Sequence, residues 1–300
     1  MTRRPGVFAT APGTQPAAFG RAEWGLMAAV ALMWGASFLF IAVAVEAFAP
    51  PTVTLGRLGL GAIALIAFGG HRTPIDPVDR SRIVLLSLVW MATPLLLIPI
   101  AQQWVDSGIA GMINGGMPLF AGVFAALMLR RLPGVRPAVG LAAGFAGVLL
   151  ISWPSASSAG GSPLGVGLIL VATACYGLGV NLAVPLQHRY GALPVLLRAQ
   201  AVSIAIVAPF GLAGVTRSSW SWGAFGAVAA LGVLGTGLAY VAMAVLVGRA
   251  GATRGSIAIY FIPVVAVALG ILLRQETVPA VAFGGLALVL LGAALTSRAE

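Results

Sequence analysis

Ten polar and aromatic residues lie inside long apolar runs of this chain, where they could bind a small molecule. They are Trp34, Ser37, Arg57, Trp90, Asn114, Tyr176, Asn181, Gln200, Tyr240 and Tyr260. A polar side chain in an apolar surrounding is costly unless it faces protein or a cavity, so such positions commonly mark a substrate pathway. Aromatic rings stack on flat or apolar ligands and attract cations, whereas amides and hydroxyls hydrogen-bond zwitterions. The set therefore suits a cavity for small organic molecules.

Each of these residues also has a structural interpretation. Arg57 lies about five residues into its run, so its guanidinium either reaches the membrane interface or meets a substrate carboxylate or a helix C-terminus. Asn114 lies one turn before Pro118, where an amide could satisfy the carbonyl groups that a proline leaves unpaired, or could face substrate. The central aromatic side chains could simply fill the core.

Groups for other kinds of chemistry are scarce. Cys175 is the single cysteine, His71 and His188 are isolated in polar gaps, and no carboxylate lies in the middle of an apolar run. No nucleophile with an adjacent base and no cluster of metal ligands can be recognised. We therefore expect no catalytic residue, no metal and no cofactor. Because a membrane-buried carboxylate for proton exchange is absent, we expect facilitated diffusion or exchange.

The composition indicates an integral membrane protein. Hydrophobic residues make up 60% of the 300 positions and charged residues only 8%, with a mean hydropathy of +1.03. A soluble domain carries about 25% charged residues, so this chain cannot face water on all sides. Runs of about 20 apolar residues favour helices over a barrel, whose strands would alternate in polarity.

Ten transmembrane helices are predicted, so the fold class is all-α. The predicted spans are 24–45, 52–70, 83–104, 107–129, 137–153, 164–186, 194–214, 222–247, 252–273 and 279–296. We interpret residues 1–22 as a disordered cytoplasmic tail, 23–153 as a first five-helix repeat and 164–297 as a second one.

The arginines predict how the chain is oriented. All 17 basic residues are Arg, and Arg217 and Arg274 are the ones in the gaps that would face outward if the N-terminus is inside. Arg57 and Arg198 lie within spans, and the others fall in the tails and the alternate gaps. Positively charged loops remain in the cytoplasm, so both termini are predicted to be cytoplasmic. The net charge of +10 then reflects topology and contact with the lipid bilayer, and nucleic acid is not an expected partner.

A repeat relates the two halves. When residues 107–150 are moved forward by 145 positions, Pro118 falls on Pro263, Gly140 on Gly285 and Gly147 on Gly292. Since each half has five spans, the second half must cross the membrane in the opposite direction to the first. Inverted repeats are typical of secondary transporters, whose substrate site lies between the halves. We expect Pro118 and Pro263 to mark helix kinks beside that central cavity.

These features resemble the EamA-type carriers of the drug/metabolite transporter superfamily. The resemblance covers about residues 24–297. It rests on the Trp-Gly-Ala-Ser-Phe sequence at residues 34–38, Arg57 in the second span, and Pro118 and Pro263 in the fourth and ninth. An acidic residue at a helix end, typical of the family, is kept as Glu276, whereas Arg131 occupies the equivalent place in the first half. Within the family the chain is most similar to the YddG-like exporters of aromatic amino acids.

The resemblance implies export of small metabolites by alternating access in the bacterial inner membrane. We expect amino acids, aromatic or neutral, as substrates and a monomer as the working unit. Export of drug-like organic cations is the alternative for a carrier, since an aromatic cavity would also accept them. A receptor or structural membrane protein that does not transport is the alternative outside that class.

Overall fold

The computed structural model describes residues 20–67, 73–130, 134–157, 162–250 and 257–297. These residues form helices and connections, with no strand in the described part of the chain. We number ten helices in chain order. They are α1 Arg21–Ala44, α2 Pro50–Ala67, α3 Pro77–Ala101, α4 Ser107–Asn114 with Met117–Leu129, α5 Val135–Ser157, α6 Pro163–Tyr190, α7 Ala192–Val215, α8 Trp222–Ala230 continued through Leu231–Leu238 to Ala250, α9 Ile257–Arg274 and α10 Ala280–Ser297.

The predicted spans agree with these helices. Eight of the described helices are long and apolar enough to cross a membrane, and α9 and α10 supply two shorter apolar stretches. Helix α1 begins at Arg21, inside the predicted tail 1–22, of which residues 1–19 lie outside the described part. The predicted end of the second span and the start of the ninth also fall outside it. Helix α3 begins at Pro77, six residues before its predicted start, and helices α5 and α6 extend to Ser157 and Tyr190, each four residues beyond its predicted end.

Helices α3 and α8 each contain a π-helical segment, at Ser87–Ala92 and Leu231–Leu238. The two segments overlap when the first half is moved forward by 145 positions. A π segment adds a residue to the turn and leaves backbone carbonyl groups poorly paired, and such segments are frequent at functional sites. The repeat therefore preserves an irregular feature of the backbone that hydropathy does not show.

Helix packing follows a two-fold relation between the halves. Helices that the repeat makes equivalent pack on each other: α5 on α10, α2 on α7, and α4 on α9. The contacts between non-equivalent helices also come in matched pairs, because α1 packs on α9 as α6 packs on α4, and α3 packs on α6 as α8 packs on α1. This pattern is the one expected of two inverted five-helix repeats.

Interlocking glycines hold α5 against α10. A Cβ atom added to Gly147 would lie 2.5 Å from the carbonyl oxygen of Gly285, and one added to Gly285 would lie 2.7 Å from that of Gly147. Gly292 meets the backbone of Gly140 in the same way. Small residues of this kind let the backbones of membrane helices approach closely, where dispersion contacts replace the hydrophobic effect. The contacts are themselves two-fold related, because Gly147 meets the repeat equivalent of Gly140, and Gly140 meets the repeat equivalent of Gly147.

Hydrogen bonds close one end of the bundle, here called the α1–α2 end. The Glu276 carboxylate, in the α9–α10 connection, accepts the backbone N–H of Ser107 at 2.9 Å, the Ser107 hydroxyl at 2.6 Å and the N–H of Gly108 at 2.8 Å. A carboxylate is favoured at this place because the first amides of α4 have no partner within their own helix. Arg274 also bridges to Glu46 at 2.8 Å. These contacts tie the second repeat to the first.

The opposite end, here called the α6–α7 end, is organised by a buried carboxylate. Asp79, at the start of α3, is 1% exposed and accepts hydrogen bonds from Arg189 at 2.6 Å, Tyr190 at 2.7 Å and Arg82 at 3.0 Å. Three donors compensate for the loss of water around the charge. Asp79 therefore fixes the end of α6 against the start of α3.

Candidate functional site

A cavity of 510 Å³ lies between the two halves. Its wall combines apolar side chains with a few polar ones, as is usual for a small-molecule site. The lining residues are Trp34, Ser37, Phe38, Ile41, Arg57, Trp90, Ile98, Asn114, Met117, Tyr176, Val180, Ala183, Val184, Gln187, His188, Ala192, Leu196, Tyr240, Met243, Ala244, Ile259 and Ile262. The structure thus brings seven of the ten predicted residues to one cavity: Trp34, Ser37, Arg57, Trp90, Asn114, Tyr176 and Tyr240.

The two halves contribute equivalent positions to this wall. On α1 and α6 the lining residues are paired at a spacing of 142, and on α4 and α9 at a spacing of 145. The pairs are Trp34 with Tyr176, Phe38 with Val180, Ile41 with Ala183, Asn114 with Ile259, and Met117 with Ile262. The cavity therefore lies on the pseudo-two-fold axis, where a movement of one half against the other would change access to it.

Arg57 supplies a positive charge to the wall. It is 7% exposed, and its Nε donates to the hydroxyl of Thr236 on α8 at 2.9 Å. No ion pair in the described part of the chain involves Arg57. A buried cation without a counter-charge is unfavourable, and an anionic ligand would relieve that cost. The guanidinium lies against the π segment of α8 and inside the cavity wall.

Aromatic rings form the neighbouring part of the wall. The ring of Tyr240 lies between those of Trp34 and Trp90, each at 5.5 Å between centroids, with interplanar angles of 73° and 77°. Edge-to-face packing of this kind is favourable and fixes the ring orientations. The Trp34 indole also donates to the carbonyl oxygen of Gly235 at 3.0 Å. These contacts produce a rigid aromatic corner beside Arg57.

Within the described part of the chain, the cavity opens at the α6–α7 end. Gln187, His188 and Ala192, which flank the α6–α7 connection, line it there, and His188 is exposed to solvent. Toward the α1–α2 end the lining residues Ile41 and Ile98 are only 2% and 3% exposed. The hydrogen bonds made by Glu276 lie beyond them. Among the residues that the structure describes, those lining the cavity are thus exposed or half-buried at the α6–α7 end and buried toward the α1–α2 end.

Three predicted residues do not line the cavity, and each donates a hydrogen bond to the backbone of a neighbouring helix, with Asn181 also bonding within its own helix. Asn181 donates to the carbonyl oxygens of Ala121 and Gly177 at 3.0 and 2.9 Å. Gln200 donates to the carbonyl oxygen of Leu58 at 2.6 Å. Tyr260 donates to that of Ala293 at 3.1 Å. These side chains join α6 to α4, α7 to α2 and α9 to α10, so their contacts are those of helix packing.

The two prolines have different local surroundings. The helix is interrupted at Gly115 and Gly116, and Pro118 lies in the first turn of the segment that follows. Pro263 lies within the continuous helix α9, where its missing N–H leaves the carbonyl of Ile259 without a helical partner. Cavity-lining residues precede each proline at the same two positions. They are Asn114 and Met117 before Pro118, and Ile259 and Ile262 before Pro263.

Sequence reasoning missed several contributors to the site. His188 was placed in a polar gap and Gln187 lies just beyond the predicted sixth span, yet both line the mouth of the cavity. Thr236 was overlooked although it is a hydroxyl inside a glycine-rich apolar run, which could have drawn attention to it. No described carboxylate lines the cavity, and the described residues contain no group of three His, Cys, Asp or Glu able to hold a metal.

The fold and the cavity define a multi-pass membrane carrier built from two inverted repeats. The chain belongs to the EamA-like transporter family, whose sequence model matches residues 23–153 and again residues 163–298. The two matches correspond to the five helices of each half.

The sequences of similar proteins match this chain over nearly its whole length. An uncharacterized transporter of Archaeoglobus fulgidus is 23% identical over 92% of this chain and 99% of its own. The inner membrane transporter YedA of Escherichia coli K12 is 27% identical over 91% and 90%. A probable terminal-alkyne amino-acid exporter of Streptantibioticus cattleyicolor is 25% identical over 93% and 94%. A crystal structure that shares the fold has a TM-score of 0.60 at 20% identity, covering 91% of this chain and 96% of its own.

Proposed function

We propose that this protein exports amino acids with apolar or aromatic side chains across the bacterial inner membrane by alternating access. The observation that carries the proposal is Arg57, a buried cation without a carboxylate partner in the described part of the chain, beside the aromatic corner of the cavity. A substrate carboxylate would neutralise the guanidinium, and the substrate side chain would pack on Trp34, Trp90 and Tyr240.

The position of the cavity mouth suits loading from the cytoplasm, the step that begins an export cycle. If both termini are cytoplasmic, as the arginine distribution predicts, the α6–α7 end faces the cytoplasm. The open mouth at Gln187 and His188 would then admit substrate from the cytoplasm. Rocking of the two halves about their shared axis would close this mouth and open the α1–α2 end. The inner-membrane YedA and the amino-acid exporter among the similar proteins support the location and the substrate class.

The alternatives fit the cavity less well. A site for organic cations needs a negative charge, or at least no positive charge. Here Arg57 places a positive charge in the cavity wall, and no described carboxylate lines the cavity. A receptor that does not transport would gain nothing from two inverted halves around an axial cavity.

We further propose that transport does not depend on a proton gradient. The cavity wall contains no described carboxylate that could exchange protons with substrate, so facilitated diffusion or exchange is expected. Vesicles with and without an imposed pH gradient should take up radiolabelled L-phenylalanine at the same initial rate. Uptake that requires the gradient would contradict this part of the proposal.

Purified protein in liposomes tests the function. Radiolabelled L-phenylalanine should be transported, unlabelled neutral amino acids should compete, and quaternary dications should not. Arg57→Gln should raise KM at least about tenfold, because the substrate carboxylate loses its ionic partner, whereas Arg198→Gln should leave KM within about twofold of wild type. Arg198 is a matched control because it lies within α7, bonds to the carbonyl oxygen of Pro194 and does not line the cavity. Transport of the dications instead, or binding without translocation, would refute the proposal.

A further inference from the structure

The π segment of α8 contacts both Arg57 and Trp34, although its own threonine does not line the cavity. The Arg57 Nε donates to Thr236 Oγ1 at 2.9 Å, and the Trp34 Nε1 donates to the carbonyl oxygen of Gly235 at 3.0 Å. Thr236 is 1% exposed and absent from the cavity wall. Two side chains of the candidate site are thus held by consecutive residues of one irregular helical turn.

The hydroxyl of Thr236 has a fixed orientation. It donates its single proton to the carbonyl oxygen of Leu231 at 3.1 Å, so its lone pairs are left for Arg57. In an α-helix a threonine hydroxyl usually bonds to the carbonyl four residues earlier. Here the partner is five residues earlier, because the π segment widens the turn. The irregular turn therefore creates the acceptor that Arg57 uses.

Close approach of α2 and α8 makes this hydrogen bond possible. A Cβ atom on Gly61 would lie 2.8 Å from the Thr236 Cβ, and one on Gly232 would lie 3.0 Å from the carbonyl oxygen of Arg57. Larger residues at either position would separate the helices. The glycines thus hold the Arg57 backbone beside the π segment, and the Nε bond directs the remaining guanidinium nitrogens.

We propose that Thr236 is a positioning residue that sets the affinity for substrate by orienting Arg57. The proposal rests on the proposed function, in which Arg57 binds the substrate carboxylate. A guanidinium held through Nε can present its two terminal nitrogens to a carboxylate as a fork. Without the anchor, the same side chain would sample several rotamers and lose part of its binding strength.

Transport of radiolabelled L-phenylalanine by reconstituted variants tests this. Thr236→Val keeps the shape but removes the hydroxyl, and it should raise KM about tenfold while the maximal rate stays within about twofold, since a hydrogen bond to a charged group is lost. Thr236→Ser keeps the hydroxyl and should restore KM to within about threefold of wild type. A purely structural role would lower the amount of folded protein or the maximal rate and leave KM unchanged.

A double-mutant cycle separates this inference from the proposed function. In an Arg57→Lys background, which retains charge but has no Nε donor, Thr236→Val should add no further change to KM. Three outcomes would refute the inference. Thr236→Val could raise KM equally in both backgrounds, or Thr236→Ser could be as impaired as Thr236→Val. Thr236→Val could also leave KM unchanged while Arg57→Lys raises it. If Arg57→Lys and Arg57→Gln both leave KM unchanged, the proposed function itself fails.

Discussion

Arg130 and Gln275 adopt the same left-handed backbone conformation, with φ of 51° and 56°, at positions 145 apart. They are the non-glycine residues with positive φ in the described part of the chain, and each ends a helix, α4 and α9 respectively. The repeat thus preserves backbone geometry where it does not preserve residue type. The residue after Gln275 is Glu276, whereas its equivalent Arg131 lies outside the described residues.

Replacing Gln275 with glycine should stabilise the folded protein. A residue with a Cβ in the left-handed conformation costs about 1–2 kcal/mol. Glycine avoids this cost, but the greater freedom of glycine in the unfolded chain offsets part of the gain in stability. We expect Gln275→Gly to raise the free energy of unfolding by about 0.5–1 kcal/mol. Thermal unfolding in detergent micelles measures this. Gln103→Gly, at an exposed turn without positive φ, should have the opposite sign, and equal effects of the two variants would contradict the prediction.

Glu276 should stabilise the α1–α2 end much more than its neighbour Glu46. Its carboxylate is 6% exposed and accepts three hydrogen bonds at the start of α4. Glu276→Gln should therefore lower the free energy of unfolding by about 1–2 kcal/mol. Glu46 is 60% exposed and pairs only with Arg274 among the described residues, so Glu46→Gln should cost less than about 0.5 kcal/mol. Similar losses in both variants would show that the cap is unimportant.

The α5–α10 contact should not tolerate a single methyl group. Gly147→Ala places a Cβ against the carbonyl oxygen of Gly285, and separating the helices should cost about 2 kcal/mol. Gly284→Ala is the matched control, because nothing lies within 4 Å of its added Cβ, and it should be neutral or stabilise α10 by up to about 1 kcal/mol. Thermal unfolding distinguishes the two, and a tolerated Gly147→Ala would contradict this packing.

Sequence patterns predicted the helices and the repeat but not which faces of the helices meet. Apolar length predicted the spans to within six residues. Gly140, Gly147, Gly285 and Gly292 identified equivalent positions because close packing requires them. The direction in which the Asn181 and Tyr260 side chains point could not be predicted from the sequence. Lipid is as apolar as a protein core, so hydropathy does not distinguish the two sides of a membrane helix. The π segments had no compositional signal, so the link from Arg57 to Thr236 was visible only in the structure.

Tyr240 should contribute to substrate selection through its ring. It packs edge-on against Trp34 and Trp90, so Tyr240→Ala should open the aromatic corner and raise KM for L-phenylalanine about tenfold. Tyr240→Phe keeps the ring and should change KM by less than about threefold. Phe283→Ala, an exposed aromatic on α10, controls for general loss of aromatic surface. An unaffected KM in Tyr240→Ala would remove this residue from the site.

The most direct test of the account compares L-phenylalanine with L-phenylalaninamide, which lacks the carboxylate. Their inhibition constants against radiolabelled L-phenylalanine transport should differ at least about tenfold in the wild-type protein, with the amino acid binding more tightly, because Arg57 pairs with its carboxylate. In Arg57→Gln the two constants should become nearly equal. A preference that is the same in both proteins, or tighter binding of the amide by the wild type, would contradict the assignment of Arg57 as the carboxylate-binding residue.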